Sequence, residues 1–419
     1  MSERALLVGV TTGGGEEAKS SLAELARLAE TAGAECTGAL VQRRERFEPA
    51  TLVGKGKVAE LAAEAALADL VIFDNDLTPA QERNLSKALK RPVLDRTALI
   101  LDIFAQHARS REGKIQVELA QLEYRLPRLR GRGVELSRLG GGIGTRGPGE
   151  TQLEVDRRRI QTRIAKLRKE LEDLARTRRV KRGQRERRGL PLVALVGYTN
   201  AGKSSLLNAL TDAGALVEDQ LFSTLDPTTR RLELPNGRLV LVSDTVGFVH
   251  KLPHELVEAF HSTLEEATEA DLLLHVVDVA ATRPESQIAA VREVLEEIGA
   301  HQVPELMVGN KVDRASDTGL ARFRAAHSEG VVVSALTGRG LADLIAEVGN
   351  RLSVLDRQVE LMVPFSNGAV VARLHEVAEV LEEEYREEGT WMRVRLPVAE
   401  LERTVQYLIP SAPARAVEA

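Results

Sequence analysis

The sequence predicts an α/β protein of several domains, and three observations carry the prediction. Strand-like apolar runs alternate with helical stretches across the first 110 residues. A continuous apolar run, Leu192 to Val196, breaks into a glycine turn and resumes as a helical pattern, and the segment after Leu355 reads β-α-β-β-α. A chain of 419 residues has room for about two to four domains. Hydrophobic residues make up 43% but aromatics only 3%, so the cores must be aliphatic.

In chain order, strands are expected at Ala5 to Val10, Glu35 to Val41, Leu70 to Asp74 and Pro92 to Asp95. Helices are expected around Glu16 to Thr31, Val58 to Ala66, Pro79 to Ala88 and Thr97 to His107. This is an N-terminal α/β domain with a mainly parallel sheet, residues 1–110. Val53-Gly-Lys-Gly-Lys57 looks like a phosphate loop but lacks the spacing, and reads as a basic turn before a helix.

Residues 111–189 form the next division. Ile115, Leu119, Leu122, Leu126 and Leu129 recur at intervals of four and three, as do Ile160, Ile164, Leu167, Leu171 and Leu174. Two such seams on either side of the glycine-rich stretch Gly131 to Gly149 predict an antiparallel helical hairpin. The loop and its shoulders carry Arg128, Arg130, Arg132, Arg138 and Arg146. Between Arg157 and Arg188 there are fifteen Lys or Arg against four Asp or Glu. So few acidic partners cannot neutralise that face within the helix, and phosphate backbone is the better partner. With Tyr124 the lone aromatic there, a folded RNA recognised by shape fits better than stacked single strands.

A central domain is expected over 190–355 and a small ferredoxin-like α+β domain over 356–410, with a disordered tail at 411–419. The acidic cluster Glu382, Glu383, Glu384, Glu387 and Glu388 reads as a solvated edge or a protein contact, and argues against RNA binding by that face. A net charge of −5 neither favours nor excludes nucleic acid. The single cysteine, Cys36, permits no intramolecular disulfide and no cysteine metal cluster. No signal-like start and no run approaching the length of a membrane span is present, so a cytoplasmic monomer without stable membrane insertion is expected; peripheral membrane contact is left open.

The chemistry concentrates in the central domain. Gly197-Tyr198-Thr199-Asn200-Ala201-Gly202-Lys203-Ser204 follows an apolar strand and opens a helix, matching G-x-x-x-x-G-K-[ST]. In that motif backbone N–H groups wrap phosphates, the lysine neutralises the β/γ oxygens and the hydroxyl ligates Mg²⁺. Asp244-Thr245-Val246-Gly247 ends a second strand; its Asp can hold Mg²⁺ through water and the Gly N–H can approach a γ-phosphate. Asn310-Lys311-Val312-Asp313 and Ser334-Ala335-Leu336 end two more. In a doubly wound sheet all of these loops open on one crevice. A carboxylate at Asp313 accepts from both guanine N1–H and the exocyclic amine, whereas adenine would leave it unpaired, which discriminates by roughly 10⁴ or more. Asn310 should brace the loops, Lys311 should lie along the base, and the loop at Ser334 should offer a backbone N–H to the guanine oxygen. A further threonine that binds Mg²⁺ only with the γ-phosphate must come from Phe222-Ser223-Thr224-Leu225-Asp226-Pro-Thr-Thr-Arg230; spacing does not choose among Thr224, Thr228 and Thr229.

Taken together, Gly140 to Glu154, Asp156-Arg-Arg158, Glu118 to Arg128 and Leu221 to Arg230 make the chain resemble the HflX-type GTPases, near the Obg group of translation GTPases. The resemblance implies GTP hydrolysis, Thr224 as the switch threonine, binding to the large ribosomal subunit and its rRNA, splitting of stalled or idle ribosomes and a tie to heat stress. Phe248 follows D-x-x-G where many GTPases carry a water-orienting glutamine, so slow intrinsic hydrolysis is expected, relieved by the ribosome or by a monovalent cation. In related potassium-activated GTPases the position of Asn200 ligates K⁺; a loop-bracing asparagine is the equal alternative.

Overall fold

The computed structural model describes residues 3–129, 152–188, 190–211, 222, 228–250, 261–354, 357–396 and 398–409. These fall into two compact units, one drawn from Met1–Leu174, Asp219–Asp226 and His250–His261, the other from Ala175–Glu218, Pro227–Val249 and Ser262–Ala419.

The first unit is built from β1 (Glu3–Thr11), α1 (Gly15–Thr31), β2 (Ala34–Arg43), α2 (Lys55–Glu64), β3 (Leu70–Phe73), α3 (Pro79–Leu89), β4 (Val93–Asp95), α4 (Arg96–His107) and α5 (Arg111–Arg125), with the start of the long helix α6 (Gln152–Arg188). Its sheet runs β2-β1-β3-β4, every pair parallel. Leu6, Val8, Val71 and Phe73 point to one face and close a core with Leu61, Leu85 and Leu89 of the covering helices. Helix starts are set locally. Thr78 and Gln81 make a reciprocal capping box before α3, and the Asp95 carboxylate accepts from the Ala98 N–H to open α4. The basic turn at 53–57 leads into α2 with Gly54 as its N-cap, and Lys57 pairs with Glu60 at 2.6 Å.

The two apolar seams meet as expected: Ile115 and Leu119 of α5 cluster with Ile164 and Leu167 of α6, flanked by Leu122, Leu126, Ile160, Leu171 and Leu174. Some of the arginines on α6 find acids on the facing helix. Arg163 forks onto Glu118 at 2.6 and 2.7 Å, and Arg168 reaches Glu123 at 2.7 Å. The glycine-rich stretch, with Arg130, Arg132, Arg138 and Arg146, lies outside the described residues, as does the tail from 411.

Arg128 corrects an expectation. Its side chain is 16% exposed and its guanidinium lies 3.5 Å from the centre of the Tyr124 ring. It donates to Glu82 at 2.9 Å, to the Leu77 carbonyl at 2.8 Å and to Asp95 at 3.3 Å. A cation so fully engaged is structural, a clamp between α3, β4 and the end of α5, and is withdrawn from the surface open to RNA.

The second unit contains β5 (Leu192–Gly197), α7 (Lys203–Thr211), β6 (Thr228–Glu233), β7 (Leu239–Asp244), α8 (His261–Thr268), β8 (Leu272–Asp278), α9 (Pro284–Glu297), β9 (Glu305–Asn310), α10 (Asp317–Ala326), β10 (Val331–Val332) and α11 (Leu341–Val354). Strand order is β10-β9-β8-β5-β7-β6, parallel except for the hairpin of β6 with β7. Val193, Leu195, Val240, Val242, Leu274 and Val308 form the aliphatic core with Leu206, Leu344 and Leu352. After these come β11 (Arg357–Val363), α12 (Gly368–Val377), β12 (Glu379–Arg386), β13 (Gly389–Leu396) and α13 (Val398–Thr404), an antiparallel sheet with β13 in the middle. Part of the acidic cluster is spent within this sheet, Glu382 pairing with Arg393 across the strands at 2.8 Å.

One buried polar group sits in the parallel core. His275 of β8, 1% exposed, contacts the Glu305 carboxylate on β9 at 2.6 Å, and Arg292 of α9 reaches the same group at 2.6 Å. Burial alone would raise this carboxyl, but hydrogen bonds and charge from His275 and Arg292 outweigh it and hold it at about 2. A carboxyl depressed in the folded state contributes stability in full above its ordinary range near 4.5, and loses it as pH falls toward 2. Glu305→Gln is therefore expected to lower stability at pH 7 by about 1–2 kcal/mol, solvent screening of this part-exposed carboxylate and its exposed Arg292 partner reducing the effect, and to flatten the fall in stability between pH 5 and 3. Urea unfolding at the two ends of that range measures both; an unchanged acid limb would remove Glu305 from the account.

Candidate nucleotide site

The carboxyl ends of β5, β7, β9 and β10 converge in the second unit, so the motifs that end these strands meet. After β5 the chain turns through Tyr198, Thr199, Asn200 and Ala201 to Gly202, and α7 begins at Lys203. Gly202 has φ +92, and a Cβ there would lie 2.3 Å from Asn310 Nδ2. That glycine lets the loop close on the asparagine behind it.

Asn310, 1% exposed, is the brace expected of it: Nδ2 donates to the Ala201 carbonyl at 2.9 Å, and Oδ1 accepts from the Ala335 N–H at 3.0 Å. Lys311 serves the loop as well as any base, its ammonium donating to the Asn200 carbonyl at 2.6 Å and pairing with Asp278 at 2.8 Å. Asp278 escaped sequence reasoning; its only signal there was its place at the end of the apolar strand β8. Asn200 itself is left-handed, φ +59, a conformation asparagine tolerates. Asp313 accepts from the Ser334 hydroxyl at 2.6 Å, which fixes its carboxylate for a ligand edge. The Val312 N–H donates to the Val333 carbonyl at 3.3 Å, and the Leu336 side chain is 84% exposed at the rim.

On the phosphate side, Lys203 is buried and donates to the carbonyls of Gly197 and Tyr198 at 3.1 and 3.0 Å. Burial pushes its ammonium down to about 8, against the opposing charge of Asp244 and with that of Lys311. The Ser204 hydroxyl donates to Asp244 Oδ2 at 2.6 Å. A hydroxyl and a buried carboxylate side by side are hard oxygen donors of the kind Mg²⁺ takes, so these two residues fit the ion. Thr245 turns inward, donating to the Leu195 carbonyl at 2.7 Å, and Val246 is buried. The strand end after Gly247 is bonded to the loop: the Thr199 N–H donates to the Phe248 carbonyl at 2.7 Å and the Phe248 N–H to the Gly197 carbonyl at 3.2 Å.

Phe222 is buried in the first unit, its ring edge-on to Phe104 of α4 at 4.6 Å. Ser223, Thr224, Leu225 and Asp226 lie outside the described residues. Thr228 and Thr229, the alternatives to Thr224, belong to the β6 ladder.

Three family models match the chain. That described as GTP-binding GTPase N-terminal covers residues 19–105, that described as GTP-binding GTPase Middle Region covers 107–185, and that described as 50S ribosome-binding GTPase covers 192–311. The protein named GTPase HflX of Lacrimispora saccharolytica is 49% identical over 95% of this chain and 94% of its own. The chain belongs to the HflX GTPase family. The Escherichia coli member is 44% identical over 91% of each chain, and that of Caldanaerobacter subterraneus 48% over 97% of this chain and 94% of its own. A GTP-binding protein from Sulfolobus solfataricus solved with GDP is 27% identical, covering 85% of this chain and 100% of that one, with a TM-score of 0.44. As a family member with this phosphate-loop fold, the chain is a GTP hydrolase that works with Mg²⁺. No helix among the described residues is long and apolar enough to cross a membrane.

Proposed function

We propose that the chain is a GTP-operated switch whose GTP state binds the large ribosomal subunit and separates stalled or idle ribosomes, hydrolysis resetting it. The observation that carries the reading is the match of residues 192–311 to the 50S ribosome-binding GTPase model, joined to a helix, α6, whose basic side chains far outnumber its acids. In this reading Lys203 stabilises charge on the transferring phosphoryl group, Gly247 senses the γ-phosphate, and Asp313 with Ser334 selects guanine. Ser204 and Thr224 would hold Mg²⁺, with Asp244 accepting from the Ser204 hydroxyl, and the ion would neutralise phosphate charge. The arm's remaining arginines, Arg130, Arg132, Arg138 and Arg146, take rRNA phosphates. A step of subunit separation needs no power stroke, because ordering of the GTP state can be traded against small-subunit binding. A checkpoint in large-subunit assembly is the rival reading, and precursor particles on deletion would favour it.

Sedimentation with purified subunits tests partner and switch together. The chain is expected to travel with large subunits in the presence of a non-hydrolysable GTP analogue and to stay behind with GDP; equal retention in both states would end the proposal. Asn200 as a K⁺ ligand is tested apart from this, by faster turnover in KCl than in NaCl.

A further inference from the structure

We infer that the Thr199 hydroxyl is a γ-phosphate contact, donating to an oxygen that GTP has and GDP lacks. The inference rests on Gly197 to Ser204 being the phosphate loop. Thr199 is 7% exposed, and its Oγ1 is buried without a hydrogen-bond partner among the described residues. Buried hydroxyls are nearly always paired, so an orphan in a ligand loop points to a partner that arrives with the ligand. The surroundings say which part of the ligand. A Cβ built on Gly247 would lie 2.7 Å from Thr199 Cγ2, 3.0 Å from Thr199 Cα and 3.1 Å from Lys203 Nζ. The threonine side chain, the lysine ammonium and the glycine backbone therefore converge within the width of one side chain. Two of the three are the groups a γ-phosphate would meet, and the third carries the unused donor.

Packing does not explain the hydroxyl. The methyl of Thr199 already fills the space against Gly247, and valine, of the same shape, would fill it without burying a polar atom. Nor is the donor redundant, because Phe248 brings no polar side chain to the end of D-x-x-G; its own backbone is bonded to the loop.

The test uses the full chain with Mg²⁺, fluorescent GDP and a fluorescent non-hydrolysable GTP analogue. Thr199→Val is expected to weaken the GTP analogue about tenfold, the usual worth of one hydrogen bond to a charged acceptor, while GDP binding stays within about twofold. Thr199→Ser, which keeps the donor, should restore the analogue's affinity. Two results overturn the inference: a valine variant that binds the analogue as the parent does, or one that loses both nucleotides equally, which would make the hydroxyl a prop for the loop. Failure of the unaltered chain to bind GDP would instead remove the phosphate-loop reading beneath it.

Discussion

An Asp313→Asn protein is expected to lose GDP and GTP affinity by about 10³ or more and to bind xanthosine nucleotides in their place. In the proposed reading the carboxylate would accept two donors from guanine, and the Ser334 hydroxyl, donating to it at 2.6 Å, fixes its orientation. An amide offers one acceptor and one donor, so its NH₂ would face the guanine amine. Xanthine replaces that amine with a carbonyl, and the pairing is recovered. Competition binding with the four nucleotides measures the exchange. A variant that keeps its preference for guanosine over xanthosine would take Asp313 out of base recognition, and with it the assignment of the whole crevice.

Lys203→Ala should lower turnover of GTP by about 10³, with weaker nucleotide binding alongside. The ammonium is buried and already bonded to the Gly197 and Tyr198 carbonyls, so it is positioned without further ordering. A charge held ready in a water-poor site is worth far more than one at the surface. Lys203→Arg should fail as well, since a planar guanidinium does not fit where a compact ammonium bridges two carbonyls of a tight turn. Phosphate release at saturating GTP, with and without large subunits, reads the effect. Turnover of the alanine variant within tenfold of the parent would contradict the role given to this side chain.

Much of the frame could be read before any coordinates, and the reason is the parallel sheet. Strands such as Leu192–Gly197 are buried on both faces and show as unbroken aliphatic runs, and the motif residues that follow them fall at strand ends by necessity. What escaped notice was set by partners distant in sequence. The polar stretch Thr228–Glu233 is a strand only because β7 offers it a ladder, which is why its threonines read as loop residues. Arg128 looked like one more cation of a basic arm; Glu82 and Asp95, which neutralise it, lie 46 and 33 positions away. The same holds for His275 against Glu305, and for Phe222, whose aromatic neighbour Phe104 stands more than a hundred positions earlier. Composition and periodicity are silent about such pairings.

The asparagine and lysine behind the phosphate loop have a consequence for biosynthesis. Ala201 and Asn200 are held by side chains 109 and 111 positions downstream. As the polypeptide is made, the glycine turn emerges long before its supports, and its central strand must wait as well for β8. A nascent chain halted anywhere short of Asn310 lacks the side chains that hold Asn200 and Ala201, so its phosphate loop has no finished cradle. Nucleotide can stabilise the domain only once both supports have been made.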